Sequence, residues 1–93
     1  MKAARLEASF RAQVRTLPKA EKRKVGEAIR QAQEIFGFPH IHSGAGLRKL
    51  IRDYYEVRAG LHWRLVFKNL ADVLSFEFLG DHRAIQTFLR SRK

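Results

Sequence analysis

The sequence predicts an α+β domain: an N-terminal helical hairpin packed on a three- to four-stranded antiparallel sheet, closed by a short C-terminal helix. Three observations predict it. Apolar residues recur at steps of three and four through the first third of the chain, which is helical spacing. From Tyr54 to Leu79 the spacing falls to two, which is strand spacing, with turns at Gly60 and at residues 69–72. After Asp81 a narrow apolar stripe returns at helical spacing. Helices set apart from consecutive strands give α+β architecture.

Each element has its own local reason. Over residues 5–17, Leu6, Phe10, Val14 and Leu17 form one stripe, with Arg5, Arg11 and Arg15 around the other side. Pro18 ends this helix, because the residue before a proline avoids the helical region, and then serves as an early position of the next. The second helix runs to about Phe36 on the stripe Val25, Ala28, Ile29, Ala32, Ile35 and Phe36, and Gly37 stops it. Its Lys22-Arg23-Lys24 run reads as a solvated face. Residues 38–46 form a loop rich in glycine and histidine, and residues 47–51 re-enter order as a short strand or turn.

The strands follow. On the first, Tyr55, Val57 and Ala59 face one way, and Tyr54, Glu56 and Arg58 the other. On the second, Trp63, Leu65 and Phe67 oppose His62, Arg64, Val66 and Lys68. On the third, over residues 73–79, Leu74, Phe76 and Phe78 oppose Ser75 and Glu77. Asp81 is an N-cap for the last helix, whose stripe is Ile85, Phe88 and Leu89, before the basic tail Arg90-Ser91-Arg92-Lys93.

Composition sets the outer limits. A chain of 93 residues makes one domain, residues 1–93, and 45% hydrophobic content with ten aromatics supports one small core. Without cysteine there is no disulfide framework and no thiolate zinc site. The first residues carry no long apolar run, so neither a secretory signal nor a membrane span is expected, and a cytoplasmic location is. The net charge of +10 promotes association with polyanions: nucleic acid, ribosome, anionic membrane or an acidic protein.

The expected polar sheet face carries Arg58, His62, Arg64, Lys68 and Glu77, with His82 at the end of the third strand and His40, His42, Arg48 and Lys49 on the loop before the sheet. RNA cleavage without a metal needs a base for the 2′-hydroxyl, cations for the charged phosphorane, and an acid for the leaving 5′-oxygen. Arginine grips phosphate in a fork, and histidine exchanges protons near neutrality. Several residues keep two readings. Arg64 holds a phosphate or pairs with Glu56 or Glu77. Glu56 is a base or an ion-pair partner of Arg58 and Arg64. His82 is a proton carrier or a first-turn residue, at a helix N-terminus that itself favours phosphate. Tyr54 is the candidate base-stacking group, whereas Trp63 goes to the core. His40 and His42, with no carboxylate or thiolate nearby, make a poor zinc set, so no metal is expected.

The run Tyr55-Glu56-Val57-Arg58, Trp63-Arg64-Leu65-Val66-Phe67, Leu74-Ser75-Phe76-Glu77 and Gly80-Asp81-His82 resembles the RelE/ParE toxin superfamily of bacterial toxin–antitoxin systems. Phe10, Val14-Arg15 and Leu17-Pro18 resemble its first helix and Leu-Pro break, and Gly46-Leu47-Arg48-Lys49-Leu50 its entry into the sheet. The pattern is closest to the YafQ-like, mRNA-cleaving branch. The resemblance implies a RelE-like fold and an endoribonuclease toxin acting on ribosome-bound mRNA, with no cofactor, no metal and no membrane. An acidic antitoxin is its implied partner, beside ribosome and mRNA. Arg58, Arg64 and His82 are the implied catalytic residues. Arg48, Lys49, Tyr54, His62, Lys68 and Arg83 are the expected RNA contacts, and His42 and Glu56 the candidate bases. Two departures stand out. The family often carries Tyr or Phe shortly after Gly-x-His, where this chain has Gln86. It also opens with a strand, where Leu6, Phe10 and Val14 favour helix. The alternatives are a ParE-like gyrase inhibitor and a non-catalytic RNA- or antitoxin-binding member of the fold.

Overall fold

The computed structural model describes residues 1–92, so Lys93 of the basic tail lies outside the described residues. The elements are β1 (Ala3–Leu6), α1 (Ala8–Arg15), α2 (Lys19–Ile35), β2 (Arg48–Lys49), β3 (Tyr54–Ala59), β4 (Trp63–Asn69), β5 (Val73–Gly80) and α3 (His82–Arg90). Two short 3-10 turns, Pro39–Ile41 and Ser43–Ala45, bridge α2 and β2. The strands make one sheet in the order β1-β5-β4-β3-β2. β2 to β5 form an antiparallel meander, and β1 joins the far edge parallel to β5.

The opening strand corrects the expectation of helix from Arg5 onward and of three or four antiparallel strands. Ala3 to Leu6 pair with Val73 to Phe76, and the Glu7 amide donates to the Phe76 carbonyl at 3.0 Å. Glu7 stays extended at ψ 154°, so the helix starts only at Ala8. Ala4 and Leu6 alternate toward the core as strand residues, and Phe10 and Val14 follow as helix residues. The step of four from Leu6 to Phe10 is thus a coincidence between two elements.

The expected hairpin of α1 and α2 is present, with Pro18 extended as the residue capping α2. Val25, Ala28 and Ala32 are buried, and Ile29, Ile35 and Phe36 pack beside them. Against this layer the sheet presents Val57, Leu65, Phe67, Leu74, Phe76 and Leu79. Rings run through the core from Tyr55 to Phe67, Phe76 and Phe10, with centroids 5.7, 5.0 and 5.8 Å apart. Aromatic contacts of this kind add to simple area burial.

The other sheet face has a smaller core: Tyr54, Val66 and Ile85, with Phe78, Phe88 and Leu89 from β5 and α3. It depends on a β-bulge. Val66 pairs with Phe78 but Phe67 with Phe76, leaving Glu77 as the extra residue. The bulge moves Phe78 to the α3 face, correcting the expectation that it shares a side with Leu74 and Phe76. Phe78 there stacks on Phe88 at 4.7 Å. Past the bulge, Gly80 lies opposite Arg64, and the chain turns at once into α3. A Cβ on Gly80 would sit 2.8 Å from the Ala84 Cβ, so glycine lets α3 close down beside β4. No helix among the described residues is long and apolar enough to cross a membrane.

Candidate functional site

An open cleft of about 360 Å³ lies where β2, β3 and β4 meet the start of α3, lined by Ser43, Gly46, Leu47, Arg48, Glu56, Arg58, Arg64 and His82. Strand register builds it. Arg58 on β3 stands directly opposite Arg64 on β4, and Glu56 directly opposite Arg48 on β2. All four side chains therefore share the face that α3 only partly covers.

Glu56 is the centre of the cluster. It is 1% exposed, and its Oε2 accepts from Arg48 Nε at 3.0 Å and from Arg64 Nη1 at 2.7 Å. Its Oε1 is buried with no hydrogen-bond partner among the described residues. The ion-pair reading of Glu56 thus has its geometry, with Arg48 rather than Arg58 as the second partner. The buried carboxylate offers no open oxygen to a substrate hydroxyl, which removes the geometric basis for a general base. Arg58 is exposed and makes no salt bridge among the described residues. Its side chain lies across Gly46, where a Cβ would come within 2.6 Å of Arg58 Nε. Gly46 holds φ +73°, so glycine serves both the turn and the close approach.

His82 is the first residue of α3 and lines the same cleft as Gly46. Asp81 fixes that helix start, accepting from the Ala84 amide at 2.8 Å. Gln86 sits one turn on, its Nε2 3.4 Å from His82 Nε2. The N-terminal end of α3 adds the partial positive charge of its free amides.

The structure thus gathers Arg48, Glu56, Arg58, Arg64 and His82. The other sequence candidates lie elsewhere. Tyr54 is 6% exposed under α3, edge-on to Phe88 at 6.0 Å, which corrects the expectation of a free stacking platform. Lys68, opposite it in register, spreads its Nζ over that ring at 5.5 Å. His62 is exposed in the turn before β4, not on the strand. Lys49 pairs with Tyr55 and so faces away from the cleft. Arg83 lies on α3 in a separate shallow concavity with Phe78 and Phe88. His42 stacks on Phe36 at 5.9 Å and bonds the Ile35 carbonyl at 3.1 Å, so it fastens the loop to the end of α2, outside the lining of the cleft. Glu77 occupies the bulge. Sequence reasoning missed Ser43, Gly46 and Leu47 as cleft wall. The closely spaced Gly44 and Gly46 before buried Leu47 were the available signal.

Chemically, the cleft presents guanidinium groups from three strands and one imidazole around a space open to solvent. It can hold a phosphate-sized anion with a proton carrier beside it.

No protein-family model matches the chain, and no curated protein matches it. Solved structures do. YafQ from E. coli strain BL21(DE3) superposes with a TM-score of 0.66 at 16% identity, covering 91% of this chain and 98% of that one. RelE in the RelB-RelE antitoxin–toxin complex from Methanococcus jannaschii superposes with a TM-score of 0.62 at 15% identity, covering 90% and 96%. The fold is therefore the RelE-like α+β fold that the sequence resemblance implies. Both structures run nearly end to end with this chain.

Proposed function

We propose that this protein is the toxin of a toxin–antitoxin pair, a metal-independent endoribonuclease that cleaves mRNA on the ribosome in the cytoplasm. One observation carries the reading: Arg58 and Arg64 stand in direct cross-strand register in an open cleft that also holds His82. Like charges directly opposite destabilise a sheet. Glu56 offsets Arg64, but Arg58 keeps its full charge, so the pair suits a bound anion. A phosphodiester supplies it.

In the reaction the 2′-oxygen attacks phosphorus and the bond to the 5′-oxygen breaks, leaving a 2′,3′-cyclic phosphate and a 5′-hydroxyl. One proton leaves the 2′-hydroxyl and one reaches the 5′-oxygen. Arg58 and Arg64 hold the phosphate and stabilise the phosphorane. His82 carries one of the two protons. Arg48, at the rim, receives the neighbouring backbone phosphate. An acidic antitoxin laid over the same cations silences the site, a partnership supported by the likeness to a RelE solved together with RelB.

Primer extension on a translated mRNA after induced expression tests this. Cuts within the reading frame are expected with wild type and none with an Arg64→Ala/His82→Ala double variant. Identical patterns and growth for both would overturn the reading. Growth arrest with intact mRNA and blocked DNA supercoiling would put the gyrase alternative in its place.

A further inference from the structure

We infer that Glu56 is a positioning residue that also trims the cleft's charge, so that the Arg48 and Arg64 forks are held in fixed directions while the phosphodiester is bound less tightly than three uncompensated arginines would bind it. The catalytic half of this inference rests on the proposed function; the binding half does not.

The observation is a costly one for the fold. A carboxylate 1% exposed is held by two arginines on the same oxygen, while its other oxygen is buried without a partner among the described residues. Buried ion pairs are often no more stabilising than apolar side chains of the same shape, and an unpartnered charged oxygen makes the balance worse. Packing alone would be better served by Gln or Met. The expense falls at the middle of the cleft, and its geometric effect is specific. Glu56 takes one N–H each from Arg48 and Arg64 and leaves the remaining donors of both forks for a ligand. It fixes both guanidinium groups from below, so little ordering remains to be done when an anion arrives.

Charge gives the second effect. Arg48, Arg58 and Arg64 less Glu56 leave two positive charges in the cleft, His82 aside. A phosphodiester carries one negative charge and the phosphorane formed by the deprotonated 2′-oxygen carries two. A third uncompensated charge would tighten the hold on every anion in the cleft, the uncut substrate and the cleaved product included. With one charge trimmed the ground state is held less tightly, and preference for the phosphorane rests on the fixed direction of the Arg48 and Arg64 forks.

Glu56→Gln keeps the shape and removes the charge. The probe for binding is a short single-stranded oligonucleotide with 2′-deoxyribose throughout, which cannot be cut. Glu56→Gln is expected to bind it roughly three- to tenfold tighter than wild type at low salt, while single-turnover cleavage of the matching RNA falls about tenfold or more. A purely structural Glu56 would give the opposite sign in binding, weaker along with lower thermal stability, and that result overturns the inference. Unchanged cleavage overturns it as well. Glu56→Asp separates charge from position: DNA affinity within about twofold of wild type with slowed cleavage is expected, because the charge stays and the grip on Arg64 is withdrawn. Wild-type cleavage by Glu56→Asp overturns the positioning role, and this variant decides the matter if Glu56→Gln does not fold. If wild type cuts no RNA, the proposed function fails, and the sign of the binding change alone then supports or overturns the charge-trimming role.

Discussion

At the scale of single residues, the cleft depends on a few atoms with separable roles. Arg58 and Arg64 are neighbours, yet Arg58 makes no salt bridge among the described residues and Arg64 is tethered to Glu56 at 2.7 Å. Arg64→Ala is expected to lower cleavage by about two to three orders of magnitude, the usual loss when one preorganised donor to a transition-state oxyanion is removed. Arg64→Lys is not expected to recover it, since a point charge cannot hold Glu56 and a phosphate at once; single-turnover rates measure both. Gly46→Ala is expected to act on Arg58 from a distance in sequence. Its Cβ would meet Arg58 Nε at 2.6 Å and Arg58 Cβ at 2.8 Å, and the left-handed backbone at φ +73° adds about 1 kcal/mol of destabilisation. Urea unfolding and RNA cleavage on one preparation read the two effects. Arg58, Arg64 and His82 were legible in the sequence because strand period and the Gly-x-His motif place them. Gly46 was not, because only the folded chain shows which side chain crosses it.

At the scale of elements, α3 and α1 are held by unlike devices. α3 begins at the cleft, so its cap is also a support for His82. Asp81→Ala is expected to cost about 1 kcal/mol and to slow cleavage, through fraying of the first turn, without changing the arginine cluster. Amide exchange in α3 beside thermal melts would check it. α1 is tied to β5 by Gln13, whose amide both accepts from the Leu79 amide at 2.8 Å and donates to the Leu79 carbonyl at 2.7 Å. Gln13→Ala leaves two partly buried backbone groups wanting, and a loss of about 1–3 kcal/mol in urea unfolding is expected. Strands β3 and β4 were legible from their period-two patterns. The opening strand β1 was not, because its four residues carry no alternation strong enough to outweigh the apparent helical step to Phe10. The bulge at Glu77 was equally hidden, since an extra residue in one strand shows only against the partner it faces.

At the scale of the whole molecule, charge and acid stability are the measurable consequences. On the proposed function, a chain with net charge +10 is expected to bind RNA with strong salt dependence. Each lost phosphate contact reduces the slope of log affinity against log salt by about 0.7 for a single strand, so Arg58→Ala is expected to flatten it by that amount. Glu7 gives the pH dependence. Its carboxylate accepts from Ser75 Oγ at 2.7 Å and Arg5 Nε at 3.0 Å, the serine bond first and the arginine bond second holding its pKa below the usual carboxylate value. A depressed folded-state pKa stabilises above the unfolded value and loses that contribution as pH falls through the folded one. Glu7→Gln is therefore expected to unfold with a shallower loss of stability than wild type below about pH 4, by urea midpoints across the acid range.

The sequence by itself determined the class of fold, the helical hairpin, the three central strands, and the identity of the cations. All of these follow from period, punctuation and charge, which are local. Only the tertiary structure decided which cations meet. Register, the bulge at Glu77 and the parallel pairing of β1 are set by contacts between segments far apart in the chain. Those contacts buried Tyr54, turned Lys49 away, fastened His42 to α2, and put Glu56 beneath Arg48 and Arg64 instead of at the surface. A strand pattern fixes the face on which a side chain lies. The neighbours across that face are fixed by packing.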